Sequence, residues 1–181
     1  MMEVRPVELY FSMHAWEQIE HDLWPLEEME DQLRGALSSA DGIVKLCRLI
    51  AILRNAAAEL DGRPERVTGE DVLRSATAET LTASIRQAAE AIVDGLRTEG
   101  PKKSAPVDVT LAELDKAEGR NRVTWRRVTG EGLIAGISVT EQRHLRPGLV
   151  VDLYRQRQQY DDEQHGIKRK GGADPWPSTQ N

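Results

Sequence analysis

The sequence has little cysteine, no long apolar run and no recognisable secretion signal. A single cysteine, Cys47, among 181 residues excludes an internal disulfide framework and a zinc site built from several cysteines. No apolar stretch approaches the roughly 20 residues that a membrane span requires, and no basic start precedes an apolar segment with a cleavage site. We therefore expect a soluble intracellular protein that does not enter membranes.

Aromatic residues are also scarce, at 4% of the chain, whereas charged residues make up 30%. Such a composition predicts a core of Leu, Ile, Val and Ala on helices whose outer faces are solvated. The chain shows no strand-like alternation and no internal repeat. These observations predict an all-α protein.

Capping residues and apolar spacing predict where the N-terminal helices lie. Ser12 is expected to cap a helix that ends near Leu23, and Pro25 separates it from a second helix. The stretch "ADGIVKLCRLIAILRNAAAELDG" is the most apolar of the chain and is predicted to be the central core helix. Thr68 and Thr77 are expected to begin two further helices.

Charge divides the chain into two parts. Residues 1–99 hold 10 bases and 19 acids (10 − 19 = −9), whereas residues 100–181 hold 14 bases and 11 acids (14 − 11 = +3). The stretch "TEGPKKSAPVDV" between them has no apolar periodicity and is typical of a flexible linker. The predicted organisation is an acidic helical domain (1–99), a linker with a short helix (100–123), a small basic helical domain (124–166) and a disordered tail (167–181).

The last third is predicted to form three helices. The first runs from about Thr124 to Ile137, the second is "SVTEQRHL" capped by Ser138, and the third begins at Pro147. Residues at helical spacing give the third helix an apolar stripe of Leu149, Val150, Leu153 and Tyr154, which Arg157 and Tyr160 extend. Of these, we expect Leu149, Leu153, Tyr154 and Arg157 to bind a partner.

Residues with catalytic or metal-binding chemistry do not form a recognisable set. Cys47 lies in the most apolar helix, where a thiol is expected to be a buried core residue, and "GEGLIAG" lacks the spacing and lysine of a phosphate loop. The best metal candidates are His14, Glu17 and His21 on one helical face, but they have no fourth ligand. We expect no enzyme activity, no metal and no cofactor.

Two features remain as candidate binding surfaces. Tyr10, Phe11, Trp16 and Trp24 are close together near the start of the chain, and such aromatic groups often mark a binding groove. The alternative is that they fill the core. The second feature is "LIAGISVTEQRHLRPGLVV", which has the rhythm of a helix-turn-helix motif and offers Gln142, Arg143 and His144 to DNA. Pro147 shortens its second helix, which argues against a DNA reader.

The opening stretch "RPVELYFSMHAWEQIEHDLWPLEEMEDQL", the long apolar helix, "LTASIRQAAEAIVDGLRTE" and the linker after it resemble the tail assembly chaperones of long-tailed bacteriophages. The likeness covers about residues 3–118. The segment "EGLIAGISVTEQRHLRPGLVVDLYRQRQQYDDE" is similar to the small domain that a ribosomal frameshift appends to the longer form of these proteins.

This resemblance implies a non-enzymatic function in assembly. Members of the family are thought to keep the tape measure protein soluble through the first domain and to recruit tail tube subunits through the appended one. It also implies location in the host cell cytoplasm, absence from the mature virion, and self-association as a further property. A phage protein that packages or regulates DNA through residues 124–165 is the alternative, although nucleic acid is not the expected partner.

Overall fold

Helices form the regular structure of the chain in a computed structural model, which describes residues 9–63, 66–98 and 124–165. These residues contain α-helices, turns and no β-strand, so the all-α prediction is confirmed for this part of the chain. The helices are α1 (Met13–Asp22), α2 (Met29–Gly35), α3 (Ala40–Leu60), α4 (Gly69–Ser75), α5 (Ala78–Leu96), α6 (Trp125–Ile134), α7 (Val139–Gln142) and α8 (Pro147–His165). The short 3-10 helices Leu26–Glu28 and Ala36–Ser38 flank α2.

Side-chain caps fix the starts of the N-terminal helices. The Ser12 hydroxyl accepts a hydrogen bond from the Ala15 amide at 3.1 Å, and this satisfies one of the amides that a helix start leaves unpaired. Thr68 forms a reciprocal capping box with Asp71 at the start of α4, and Thr77 caps α5. The three predicted helix starts are confirmed.

The connection from α3 to α4 folds back along α3. Gly62 has a φ of 67°, in the left-handed region that glycine adopts without steric cost, and it directs the chain away from the helix axis. Asn55 then holds the returning chain: its side-chain amide donates to the Val67 carbonyl at 2.9 Å, and its oxygen accepts from the Val67 amide at 2.8 Å. These bonds keep α4 against α3.

Helix α3 is the centre of the core, as its apolar pattern predicts. It contacts α1, α2, α4 and α5. Its buried residues are Leu46, Cys47, Leu49, Ile50, Ala51, Leu53, Ala56, Ala57 and Ala58. A large part of the favourable free energy of folding therefore comes from apolar surface that this helix removes from water.

The C-terminal segment (residues 124–165) packs on the N-terminal helices. Helix α6 contacts α1, α8 contacts α5, and α6 and α8 contact each other. Val128, Val150 and Val151 belong to the same hydrophobic core as α1 to α5. The described parts of the two predicted domains thus share a core, and their separate folding stays a prediction. The predicted linker (100–123) and the predicted tail (167–181) lie outside the described residues.

Backbone and polar groups make much of the contact between the two segments. The Met13 amide donates to the Leu145 carbonyl at 2.9 Å, and the His14 amide donates to the Arg143 carbonyl at 3.1 Å. The Tyr10 hydroxyl donates to the His144 carbonyl at 3.0 Å. The start of α1 and the chain just before α8 are therefore joined by hydrogen bonds, which we call the docking contact.

Close approach of the backbones completes the docking contact. A Cβ atom added at Gly148, in the first turn of α8, would lie 2.0 Å from the carbonyl oxygen of Arg97. Real Cβ atoms do not approach a backbone oxygen so closely, so only glycine fits there. An ion pair between Arg146 and Asp94, at 3.3 Å, lies beside this contact.

The turns between the C-terminal helices differ in detail from the expectation. Helix α6 ends at Ile134 rather than near Ile137, because Gly136 adopts a φ of 87° and leaves the helical region. Ser138 caps α7 as predicted, but this helix is a single turn of four residues. Pro147 is the first residue of α8, which confirms its predicted position.

Candidate functional site

The aromatic residues near the start of the chain belong mainly to the core. Phe11, Trp16 and Trp24 are buried, and the ring centroids of Phe11 and Trp16 are 6.0 Å apart. Gly95 on α5 leaves room for Phe11, because an added Cβ there would lie 2.7 Å from its ring. Tyr10 is half-buried in the docking contact. The rings of Phe11, Trp16 and Trp24 therefore fill the core, which was the alternative to an open binding groove.

The predicted stripe on α8 divides between two faces of the helix. Val150 and Val151 are buried against α5 and α6, whereas Leu149 is 37% exposed and Tyr160 is 55% exposed. Leu149, Leu153, Arg157 and Tyr160 are spaced i, i+4, i+8 and i+11, which places them on one face. We call this the α8 outer face. Tyr154 lies at its border, half-buried, where its hydroxyl accepts a hydrogen bond from Gln158.

Side chains of the α8 outer face also interact with one another. The Arg157 guanidinium lies 5.9 Å from the centroid of the Tyr160 ring, and its Nε is 3.2 Å from the Asp161 carboxylate. From Leu153 to His165 the helix has no buried residue. The second half of α8 is thus not buried by the rest of the described chain, and it presents Tyr160 and the Arg157 guanidinium to solvent.

The helix-turn-helix candidate is built around a buried glutamine. Gln142 is 1% exposed, and its amide nitrogen donates to the Ile137 carbonyl at 2.8 Å and to the Thr129 carbonyl at 3.2 Å. Gly132 on α6 makes room for it, because an added Cβ would lie 2.4 Å from the glutamine side chain. Gln142 therefore fixes the turn and cannot also reach a base edge, which removes one of the three residues proposed to read DNA. The other two, Arg143 and His144, are exposed.

The candidate metal ligands on α1 do not converge. His14 lies 3.5 Å from Glu17, but its other ring nitrogen is 3.0 Å from the Arg143 guanidinium, and His21 pairs with Asp22 at 2.6 Å. Among residues 9–63, 66–98 and 124–165, no three His, Cys, Asp or Glu side chains are arranged to hold a metal ion. His14, Glu17 and His21 are surface residues of α1 with separate polar contacts.

The predicted core cysteine is buried. Cys47 is 1% exposed on α3, and burial raises the pKa of its thiol above the ordinary value. A thiol that keeps its proton is a poor nucleophile.

A wide, open groove lies between α1 on one side and α6 and α7 on the other, and its walls meet where His14 contacts Arg143. It encloses about 1080 Å³, and we call it the α1–α6 groove. The α1 wall presents the carboxylates of Glu17, Glu20 and Asp22, together with His14 and His21. The opposite wall presents two arginines, Arg126 and Arg143, and two apolar groups, Trp125 and Val139. The groove thus has walls of opposite charge.

Glu20 is the most constrained acid of the groove. The Trp16 indole donates a hydrogen bond to its carboxylate at 2.7 Å, and the Leu26 amide donates another. Desolvation by burial raises the pKa of the Glu20 carboxyl and outweighs both hydrogen bonds, which act in the opposite direction. The structure therefore holds a half-buried carboxylate in a fixed place on one wall.

No pattern in the sequence predicts the α1–α6 groove. Its walls are more than a hundred residues apart in the chain, and no spacing pattern connects them. The acids of α1 were interpreted only as metal ligands or solvated side chains. Helix packing, which the sequence pattern did not specify, brings Trp125 and Val139 opposite these acids.

Among the described residues, no helix combines the length and apolar character needed to cross a membrane. No protein-family model, curated protein or solved structure matches the chain.

Proposed function

We propose that this chain is a tail assembly chaperone of a long-tailed bacteriophage, which keeps the tape measure protein soluble and recruits tail tube subunits. The observation that carries the proposal is the α8 outer face, where Leu149 and Tyr160 are exposed beside Arg157 and Leu153 is half-buried between them. A helix that presents such a face to water is suited to bind another protein. In this proposal the chain acts without catalysis, in the host cell cytoplasm.

The architecture supports two separate binding tasks. Helices α1 to α5 (the N-terminal body) bury most of their apolar side chains around α3, with Val128, Val150 and Val151 of the C-terminal segment completing the core, and residues 1–99 carry a net negative charge. The α8 outer face lies on the C-terminal segment, opposite the face that packs on α5 and α6. One partner can therefore bind the N-terminal body while a second binds α8.

Weak contacts repeated along a partner would suffice for this function. An unassembled helix with a long apolar stripe aggregates, and many amphipathic molecules that each cover a short part of it keep it soluble. Because each contact is weak, tube subunits can displace the chaperones one at a time. The described residues include nine exposed large apolar side chains, several of them only slightly exposed, which agrees with weak contacts: Leu37, Val44, Leu60, Leu73, Leu133, Ile134, Val139, Leu149 and Tyr160.

The geometry favours this function over DNA binding. A recognition helix needs several side chains free to reach base edges, whereas α7 is one turn long and Gln142 is occupied within the protein. Arg143 contacts His14, and His144 lies 3.9 Å from Glu59. Both residues are exposed, but each already lies close to a side chain of the N-terminal body.

The decisive experiment is co-expression of the full chain with the tape measure protein and with the tube subunit. We expect the chain to keep the tape measure protein soluble and to retain the tube subunit. Replacing Leu149 and Leu153 by Ser should abolish tube retention and leave tape measure solubility unchanged, since both positions belong to the α8 outer face. Leu73→Ser, which changes an exposed leucine on α4, is the matched control and should change neither.

Two outcomes would refute the proposal. An insoluble tape measure protein in the presence of the wild-type chain would exclude the chaperone function. Retention of the chain on DNA, with a salt dependence set by phosphate contacts, would favour the DNA-binding alternative.

A further inference from the structure

The α1–α6 groove combines an apolar surface with two walls of opposite charge. Val139 is 52% exposed, and Trp125 is half-buried beneath the Arg126 guanidinium, which lies 5.5 Å from the ring centroid. These two side chains, one at the start of α6 and one at the start of α7, are the apolar part of the groove. When an apolar side chain binds there, the exposed valine and the partly exposed indole lose contact with water, which favours binding.

The α1 wall is prepared to receive a cation. Glu20 is fixed by the Trp16 indole and the Leu26 amide, so little side-chain entropy remains to be lost when a partner binds. Its carboxylate is half-buried and its two hydrogen-bond donors are uncharged, and the positive charge of Arg126 on the opposite wall is the smallest of the effects on its pKa. An incoming lysine or arginine would offset the cost of keeping this charge away from water. Glu17, one turn away, adds a second carboxylate to the same wall.

The volume of the groove is comparable to that of a short helix. An α-helix is about 10 Å wide and rises about 5.4 Å per turn, so two to three turns fill on the order of 1000 Å³. The groove encloses about 1080 Å³. Since its charged groups are spread over two walls, it suits a segment whose charges also lie on two edges.

We propose that the α1–α6 groove binds an amphipathic helix of a partner protein. The apolar seam of that helix packs on Trp125 and Val139, its basic edge faces Glu17 and Glu20, and its acidic edge faces Arg126 and Arg143. Charge complementarity selects this occupant, because a uniformly acidic helix meets the carboxylates of α1 and a uniformly basic one meets the two arginines. This surface is distinct from the α8 outer face.

Two labelled synthetic helices test the proposal by fluorescence anisotropy with the full chain. The first has a leucine seam, lysines along one edge and glutamates along the other; the second has glutamates along both edges. We expect the second peptide to bind at least about tenfold more weakly, because it places acids against Glu17 and Glu20. Equal affinity of the two peptides would overturn the proposal.

Variants of the protein locate the bound peptide. Glu20→Gln and Val139→Ser should each weaken binding of the first peptide by about fivefold, through loss of the charge contact and of apolar surface. Glu90→Gln, which removes an exposed acid of α5 outside the groove, has the same net charge as Glu20→Gln and should bind within about twofold of wild type.

Equal weakening by Glu20→Gln and Glu90→Gln would show that net charge alone attracts the peptide, and the proposal would fail. Thermal unfolding of each variant establishes that the fold is retained. Because the peptides are synthetic, this result is independent of whether the chain solubilises a tape measure protein.

Discussion

The N-terminal body and the C-terminal segment are both helical, yet they differ in what holds them in place. In the N-terminal body, α1, α2, α4 and α5 pack around α3, and the core between them contains large apolar side chains, among them Trp16, Ile19 and Leu53. The C-terminal segment contributes mainly small groups to the core, such as Val128, Val150 and Val151. Its position depends on the docking contact, with its backbone hydrogen bonds and its close glycine.

This difference indicates how the two parts respond to substitution. A core of large side chains loses stability in proportion to the apolar volume that is removed or the charge that is introduced. A contact between backbones has no side chain to rearrange, so one added methyl group can separate the two parts. The body should therefore fail by unfolding, and the segment by undocking.

The largest effect is expected in the centre of the body. Ile50 is a buried residue of α3, and Ile50→Asp places a carboxylate without a partner in the core. This change should lower the free energy of unfolding by about 4 kcal/mol or more. Val44→Asp introduces the same residue at an exposed site near the start of α3, where the helix dipole favours an acid, and should change stability by less than about 0.5 kcal/mol. Thermal unfolding followed by circular dichroism measures both. Equal melting temperatures of Ile50→Asp and wild type would show that α3 is not the centre of the core.

An intermediate effect is expected at the docking contact. Gly148→Ala forces a Cβ atom against the Arg97 carbonyl and should cost about 1 to 3 kcal/mol, with earlier opening of residues 124–165 in hydrogen exchange than of α3. Gly130→Ala is the matched control on α6, where an added Cβ meets nothing within 4 Å. It should stabilise the helix by about 0.5 to 1 kcal/mol. If Gly148→Ala accelerates exchange equally in both parts, the contrast between unfolding and undocking is wrong.

The smallest effect concerns the acid wall of the groove and its dependence on pH. Burial raises the pKa of Glu20 in the folded protein, so the unfolded chain loses this proton first as the pH rises. Between the ordinary pKa of a glutamate and the raised value, the folded state binds more protons, and its stability falls as the pH increases.

Glu20→Gln should remove this fall, which chemical denaturation at a series of pH values on either side of the window measures. Glu90→Gln should keep the wild-type slope. If the stability of Glu20→Gln depends on pH as that of wild type does, the Glu20 carboxylate is not desolvated. The groove would then lack the half-buried charge on which the proposed binding of a basic edge depends.

Local patterns predicted the elements of this fold well. Ser12, Thr68, Thr77 and Ser138 each begin the helix that their capping chemistry indicates, because a cap depends only on residues within one turn. The apolar spacing of α3 identified the centre of the core for the same reason. The end of α6 was placed too late, since a left-handed glycine depends on the turn that follows it.

The candidate sites were harder to predict because they depend on contacts distant in sequence. Apolar spacing suggested that Leu149 and Val150 share a stripe, but packing on α5 and α6 buries Val150 and leaves Leu149 partly exposed. Spacing also grouped the aromatic residues without showing that Gly95 admits Phe11 to the core. The groove depends on how α6 docks against α1, which no local pattern encodes.

Because Cys47 is buried, its reaction with a thiol reagent can be used to measure how often the N-terminal body opens. Cys47 is the single thiol of the chain and lies within α3, so a thiol reagent reaches it only when the surrounding helices separate. The rate of its modification therefore measures how often the N-terminal body opens. Any cysteine introduced at a surface position would react first, so a single dye could be attached there while Cys47 remains protected.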